Sequence, residues 1–202
     1  AWGLLAFSAC AFLAALDTFI EQRGGRGVPG LRMAAGIVGG VFGFFIAAYP
    51  GVLLGATARP LFVNGHWLGA LFLAVGASTG AAAIALILEL LGPSREAIPR
   101  LMRLTGFALV VQALCLILFV VAVKASGSAA IGRALAVLLT GSYGVAFWLG
   151  VVVVGIVAPL ALLFGGAIKR APAMVTLASI LVLIGGFLTK YVIIAAGQAG
   201  GT

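Results

Sequence analysis

From Leu104 to Val123 the chain reads LTGFALVVQALCLILFVVAV, without one charged side chain. About 20 predominantly apolar residues are what an α-helix needs to cross the hydrocarbon core of a bilayer, at a rise of about 1.5 Å per residue. Comparable runs lie on both sides of it. Upstream they cover roughly Ala1–Ile20, Ala34–Thr57 and His66–Leu91, and downstream Tyr143–Gly165 and Met174–Ala196. The apolar residues come in blocks, whereas the strands of a membrane barrel would alternate apolar and polar over about ten residues. In lipid a helix pairs its backbone groups within its own segment, so the blocks read as spans. The expected fold is therefore all-α: a polytopic transmembrane helix bundle of about six spans, with residues 1–202 forming a single transmembrane helical domain. A further stretch, Ala129–Thr140, is helical in pattern with Arg133 as its one charge, and suits either an interfacial helix or an extension of a tilted span.

Composition agrees with this reading. Hydrophobic residues make up 64% of the 202 and charged ones 8%, against about 25% charged in an average soluble domain. Twelve Lys and Arg outnumber four Asp and Glu, giving +8, but they are scattered through short loops. Nucleic-acid binding needs a concentrated basic tract, and there is none. The excess instead reports topology. The loops after the first, third and fifth spans hold Arg23, Arg26, Arg32, Arg95, Arg100, Arg103, Lys169 and Arg170, while the opposite loops hold Arg59, Lys124 and Arg133. The positive-inside rule places the first group in the cytoplasm and both ends of the chain, through Thr202, outside. A multi-pass protein of the cytoplasmic (inner) membrane is expected. The chain opens at Ala1-Trp2-Gly3 with neither Met nor a charged leader, so more sequence is expected upstream.

Within the spans, Gly36, Gly39, Gly40 and Gly43, and later Gly76 and Gly80, provide small faces for helix–helix packing. Pro50 and Pro159 each remove a backbone donor from a span and are expected to interrupt it.

The polar inventory excludes several chemistries. Haem anchors use axial ligands, usually paired histidines, and the chain has one, His66. Cys10 and Cys115 stand alone in apolar segments, so neither a metal site nor a disulfide framework is indicated. Any electron transfer must use a mobile carrier and cofactors held by a partner. Ionisable groups inside a membrane are costly and are candidates for function. Tyr49, just before Pro50, can donate its hydroxyl to a ligand carbonyl, or serve as an interfacial belt tyrosine. Lys190, beside Tyr191, suits proton handling, anion pairing or snorkelling equally. His66, after Arg59 and Asn64 in an outward loop, can accept a proton from a quinol or be a solvated loop residue. Asp17 and Glu89, near the cytoplasmic ends of their spans, are proton-path candidates, although acids in such places commonly pair with nearby arginines. Gln112 is expected to make an interhelical hydrogen bond.

Several segments resemble the NrfD, or polysulfide-reductase membrane-subunit, family. The opening Ala1-Trp2-Gly3-Leu4-Leu5-Ala6-Phe7-Ser8 is similar to the start of that family's third helix. Ala48-Tyr49-Pro50-Gly51-Val52-Leu53-Leu54 with Ala56-Thr57-Ala58-Arg59-Pro60 resembles its Tyr-Thr-Gly-Val-Leu-Leu and Ala-Arg-Pro stretch. Leu71-Phe72-Leu73 with Ser78-Thr79-Gly80-Ala81-Ala82 resembles its next helix, and Leu183-Ile184-Gly185-Gly186-Phe187 with Lys190-Tyr191-Val192-Ile193 its closing segment. Pro50 stands where the family usually has Thr, and Lys190 where Arg is common.

The resemblance implies a quinone-reactive anchor of a multi-subunit oxidoreductase, corresponding to the C-terminal six of eight helices. It implies menaquinone or ubiquinone bound exchangeably near the outer surface, with no haem or metal in this chain. Tyr49 would hydrogen-bond a quinone oxygen, His66 would exchange its proton, and Arg59 with Lys190 would stabilise charge on the semiquinone or quinolate. It further implies an iron-sulfur electron-transfer partner and a catalytic redox subunit, often a molybdenum enzyme. Two other readings stay open. A transporter would show discontinuous helices in two repeated halves, of which Pro50 and Pro159 are a faint hint. A purely structural anchor would fill its pocket with lipid.

Overall fold

In a computed structural model the chain is described over residues 2–63, 65–92, 95–166 and 171–199. Ala1, Asn64, Lys169, Arg170 and Thr202, which entered the sequence reading, lie outside the described residues. The described chain is helical throughout and holds six helices long and apolar enough to cross a membrane: Trp2–Gln22, Pro29–Gly55, Leu68–Leu91, Arg95–Ala125, Ala146–Phe164 and Pro172–Ala199. These are the six spans read from the sequence, each within a few residues apart from the longer Arg95–Ala125. The fold is an all-α, polytopic bundle. The chain divides into two compact units, Ala1–Pro50 and Gly51–Thr202.

The first unit is a helical hairpin of α1 (Trp2–Gln22) and the start of α2 (Pro29–Gly55). Its packing follows from small residues spaced one turn apart. A methyl group on Gly39 would come within 3.1 Å of Cys10 Cβ, and one on Gly43 within 3.2 Å of the Phe7 ring. Gly36 and Gly40 have nothing within 4 Å, so half of the expected glycine face is open. The turn closing the hairpin bends at Gly24, whose φ of 84° is left-handed. Asp17 holds that turn. Its Oδ1 accepts the Val28 N–H at 2.7 Å, and its Oδ2 accepts Arg32 Nε at 3.0 Å and Nη2 at 2.8 Å. The Arg32 guanidinium also reaches Glu21. Pro50 does not end α2, which runs through it to Gly55.

The second unit is built on α4 (Leu68–Leu91), α5 (Ile98–Ala125) and α8 (Pro172–Ala199). Short α3 (Pro60–Val63), α6 (Ala129–Leu139) and α7 (Ala158–Phe164) complete it, with a π-helical segment at Ala146–Val157. The core gathers Phe62, Leu68, Leu71, Phe72, Phe119, Leu138, Val151 and Ile193, all essentially without exposure. The stretch at Ala129 is an independent helix whose buried residues Ile131, Ala134, Leu135 and Leu138 fall on one face.

The π segment ends where Pro159 enters. Ala158 N–H still reaches five residues back, to the Val153 carbonyl, and ordinary helix follows from Ala158. Pro159 therefore marks a change of helical register rather than a break. The wide segment crosses α8 with backbones nearly touching: a methyl group on Gly155 would lie 2.7 Å from Gly185 Cα. The next residue of α8, Gly186, is pressed against the Thr79 side chain of α4. Gly80 has nothing within 4 Å, contrary to the expectation of a packed face there.

Candidate functional site

Two kinds of polar feature occur in the second unit: buried polar side chains within its helices and a set of cationic or titratable groups toward one end. Among the former, Ser78 Oγ of α4 donates to Gln112 Oε1 of α5 at 3.0 Å, which is the interhelical hydrogen bond expected of Gln112. Gln112 Nε2 and the Ser179 hydroxyl of α8 are buried without a hydrogen-bond partner. Sequence reading did not single out Ser179, because one serine in an apolar helix carries no signal until its neighbours are known.

The end of the second unit that holds the α3–α4 turn is assembled by glycines. The last turn of α2 runs against the start of α4, where a methyl group on Gly51 would meet Gly69 N at 2.7 Å. The Phe62 ring covers Gly197 near the end of α8. Between these elements is a recess of about 220 Å³, lined by Gly51, Gly55, Phe62, Gly65, His66 and Gly69 with Val52 and Val63. Its walls are largely glycine backbone, and a flat ring can approach such walls where side chains would bar it. His66 is the titratable side chain on this recess and is otherwise exposed.

Two cations are associated with α8 toward this end, Arg59 at its terminus and Lys190 within it. Arg59 Nη1 donates to the Gln198 carbonyl at 3.4 Å, so the guanidinium caps the helix terminus where carbonyls lack partners. Lys190 is eight residues earlier, about 12 Å along the helix axis. Its ammonium lies 5.8 Å from the centroid of the Phe72 ring of α4. The side chain is half-buried, while adjacent Tyr191 is 54% exposed and stacks on Phe187. Lys190 thus turns inward over an aromatic face, a cation–π contact rather than a snorkel to the surface.

The remaining candidates are elsewhere. Tyr49 belongs to the first unit, is 52% exposed and stacks on Phe45 with ring centroids 6.3 Å apart. Asp17 is buried in its own unit by the Arg32 pair. Glu89, near the far end of α4 from His66, lies 3.4 Å from Arg95 Nη2. Both acids therefore have the arginine partner that helix-end acids commonly find. Arg59 and His66 lie at the end of the second unit that holds the α3–α4 turn, Lys190 lies about 12 Å along α8 from the Arg59 contact, and Glu89 is at the other end. Among the described residues no group of three or more His, Cys, Asp or Glu is placed to hold a metal ion.

Comparison with known proteins agrees with the sequence resemblance. The family model described as Polysulphide reductase, NrfD matches residues 1–200. A protein of Haemophilus influenzae, described as Protein NrfD homolog, is 35% identical over 159 residues, covering 76% of this chain and 49% of that protein. The chain thus spans about half the length of this curated relative. No solved structure matches it. With a family model matched along nearly the whole chain, on a bundle of membrane-spanning helices, the chain belongs to the polysulphide reductase NrfD family of membrane proteins.

Proposed function

We propose that this chain is the quinone-binding membrane subunit of a multi-subunit respiratory oxidoreductase of the cytoplasmic membrane. It would pass electrons between the quinone pool, as menaquinone or ubiquinone, and an iron-sulfur partner that serves a catalytic redox subunit such as a molybdenum enzyme. The observation that carries the proposal is a glycine-walled recess lined by His66, with Arg59 at the end of α8 and Lys190 further along that helix, in a member of this family.

The residues suit a quinone. The recess is below the roughly 300–1,000 Å³ of pockets for drug-sized ligands, so it fits a ring head and leaves an isoprenoid tail to the lipid. When bound, a quinone supplies two-electron, two-proton redox chemistry that the chain itself lacks. His66, which lines the recess, is the group proposed to exchange a proton with the ring. Lys190, partly withdrawn from solvent, favours negative charge developing on the ring oxygens, and Arg59 adds a second cation nearer the helix end. Tyr49 is a further hydroxyl donor to a ring oxygen, and Asp17 and Glu89 are candidates for proton supply from the cytoplasm, each paired with an arginine at rest.

Quinol turnover by the intact complex tests the assignment. His66→Gln is expected to lower it by roughly 10²-fold, the lower range for loss of a general acid or base, with subunit assembly unchanged. Tyr49→Phe is expected to weaken turnover in the same way, without loss of assembly. Wild-type turnover in both variants removes these residues from the site.

A further inference from the structure

The larger recess of the second unit opens at the end away from His66. It measures about 750 Å³ and lies between the end of α4, the first half of α5, the end of α7 and the start of α8. Its lining is divided. Glu89, Arg95 and Arg103 supply the charges, and Met102, Phe107, Val110 and Leu163 are among the apolar walls. Arg95 is partly neutralised by Glu89 at 3.4 Å, whereas no acidic side chain among the described residues pairs with Arg103. Two arginines against one carboxylate leave one positive charge uncompensated.

The order along α5 matters. Arg103, Phe107 and Val110 are four and three residues apart, so they share a face of the helix. The cation is followed, moving into the bilayer, by an exposed aromatic ring and an aliphatic side chain. Between them Gly106 keeps the floor low: a methyl group there would rest 3.6 Å from Leu163 Cδ1 and 3.9 Å from the Phe164 ring. This end is also the one that the arginine count assigns to the cytoplasm, where the membrane surface carries anionic lipid and basic pockets between helices take anionic headgroups.

We propose that this groove binds one anionic glycerophospholipid, with its phosphate at Arg103 and Arg95 and an acyl chain along Phe107, Val110 and Leu163. Charge selects this occupant. A quinone head is neutral and leaves Arg103 without a counter-charge, and a zwitterionic lipid brings its own cation to a site that already has a surplus. The inference does not depend on the quinone reading, which concerns the other end of the unit.

Native mass spectrometry of the full-length protein, purified in its complex in mild detergent and titrated with phosphatidylglycerol or phosphatidylcholine, tests it. One phosphatidylglycerol per chain should be retained in preference to phosphatidylcholine. Arg103→Gln should weaken retention about fivefold, the effect of one arginine near an anionic headgroup. Gly106→Leu should abolish it by filling the groove without touching a charge, while Arg133→Gln on α6 should leave it unchanged. Equal retention of the two lipids, unchanged retention in Arg103→Gln, or recovery of a quinone from the groove in place of phospholipid would overturn the proposal.

Discussion

Lys190 illustrates what one side chain's surroundings add to its identity. In sequence it is a lysine near the end of an apolar helix, equally suited to headgroup contact and to a buried role. Its position over Phe72 depends on the register of α8 against α4, fixed by Gly186 lying against Thr79, and no periodicity within α8 contains that information. If the inward ammonium acts on the ligand, Lys190→Arg should retain most quinol turnover and Lys190→Met should lose it, with similar levels of assembled complex. Equal losses in both would indicate a packing role instead. Asp17 is the opposite case. An acid at a helix end followed by arginines is already legible as a pair, although sequence placed Arg32 in the loop and the structure places it in the first turn of α2. Because Asp17 also accepts the Val28 N–H, Asp17→Ala, which removes the acceptor, should loosen the hairpin turn. Faster amide exchange at Val28 is the expected sign, and unchanged exchange would show that the hydrogen bond is dispensable.

At the level of elements, the spans were readable because length and uninterrupted hydrophobicity suffice to identify a membrane helix. Helix α6 was readable because its buried residues keep an amphipathic spacing. The π segment was not. A stretch that is apolar on every side has no stripe from which to measure a period, so 3.6 residues per turn and a wider winding look the same. Glycine alone likewise fails to say which helix it faces: Gly39 and Gly155 are packed, whereas Gly40 and Gly80 are open. This difference makes a direct comparison. Gly185→Ala would force apart two backbones in contact and should destabilise by about 1–3 kcal/mol, the usual cost of overpacking, read as a lower melting temperature in detergent. Gly80→Ala should be near neutral. Similar melting temperatures for the two would contradict the close crossing of α8 and the π segment.

On the scale of the whole molecule, the sequence carried the architecture and the family and already named Arg59, His66 and Lys190 as one candidate site, while the contacts of Arg59 with Gln198 and of Lys190 with Phe72 emerged only with tertiary structure. Arg59 and Lys190 are 131 positions apart, yet Arg59 reaches the end of the helix that carries Lys190 because α3 folds over the end of α8. The chain holds cationic side chains and His66 toward that end, and the electron route we propose leads to cofactors on a partner. The most direct measurement is to purify the full-length protein from its native membrane in mild detergent, identify its companions by mass spectrometry and extract bound quinone. Our account predicts a cysteine-rich iron-sulfur subunit, a larger redox subunit and quinone retained by the wild type but depleted in His66→Gln. Recovery of this chain alone, or as copies of itself, with no quinone bound would contradict it.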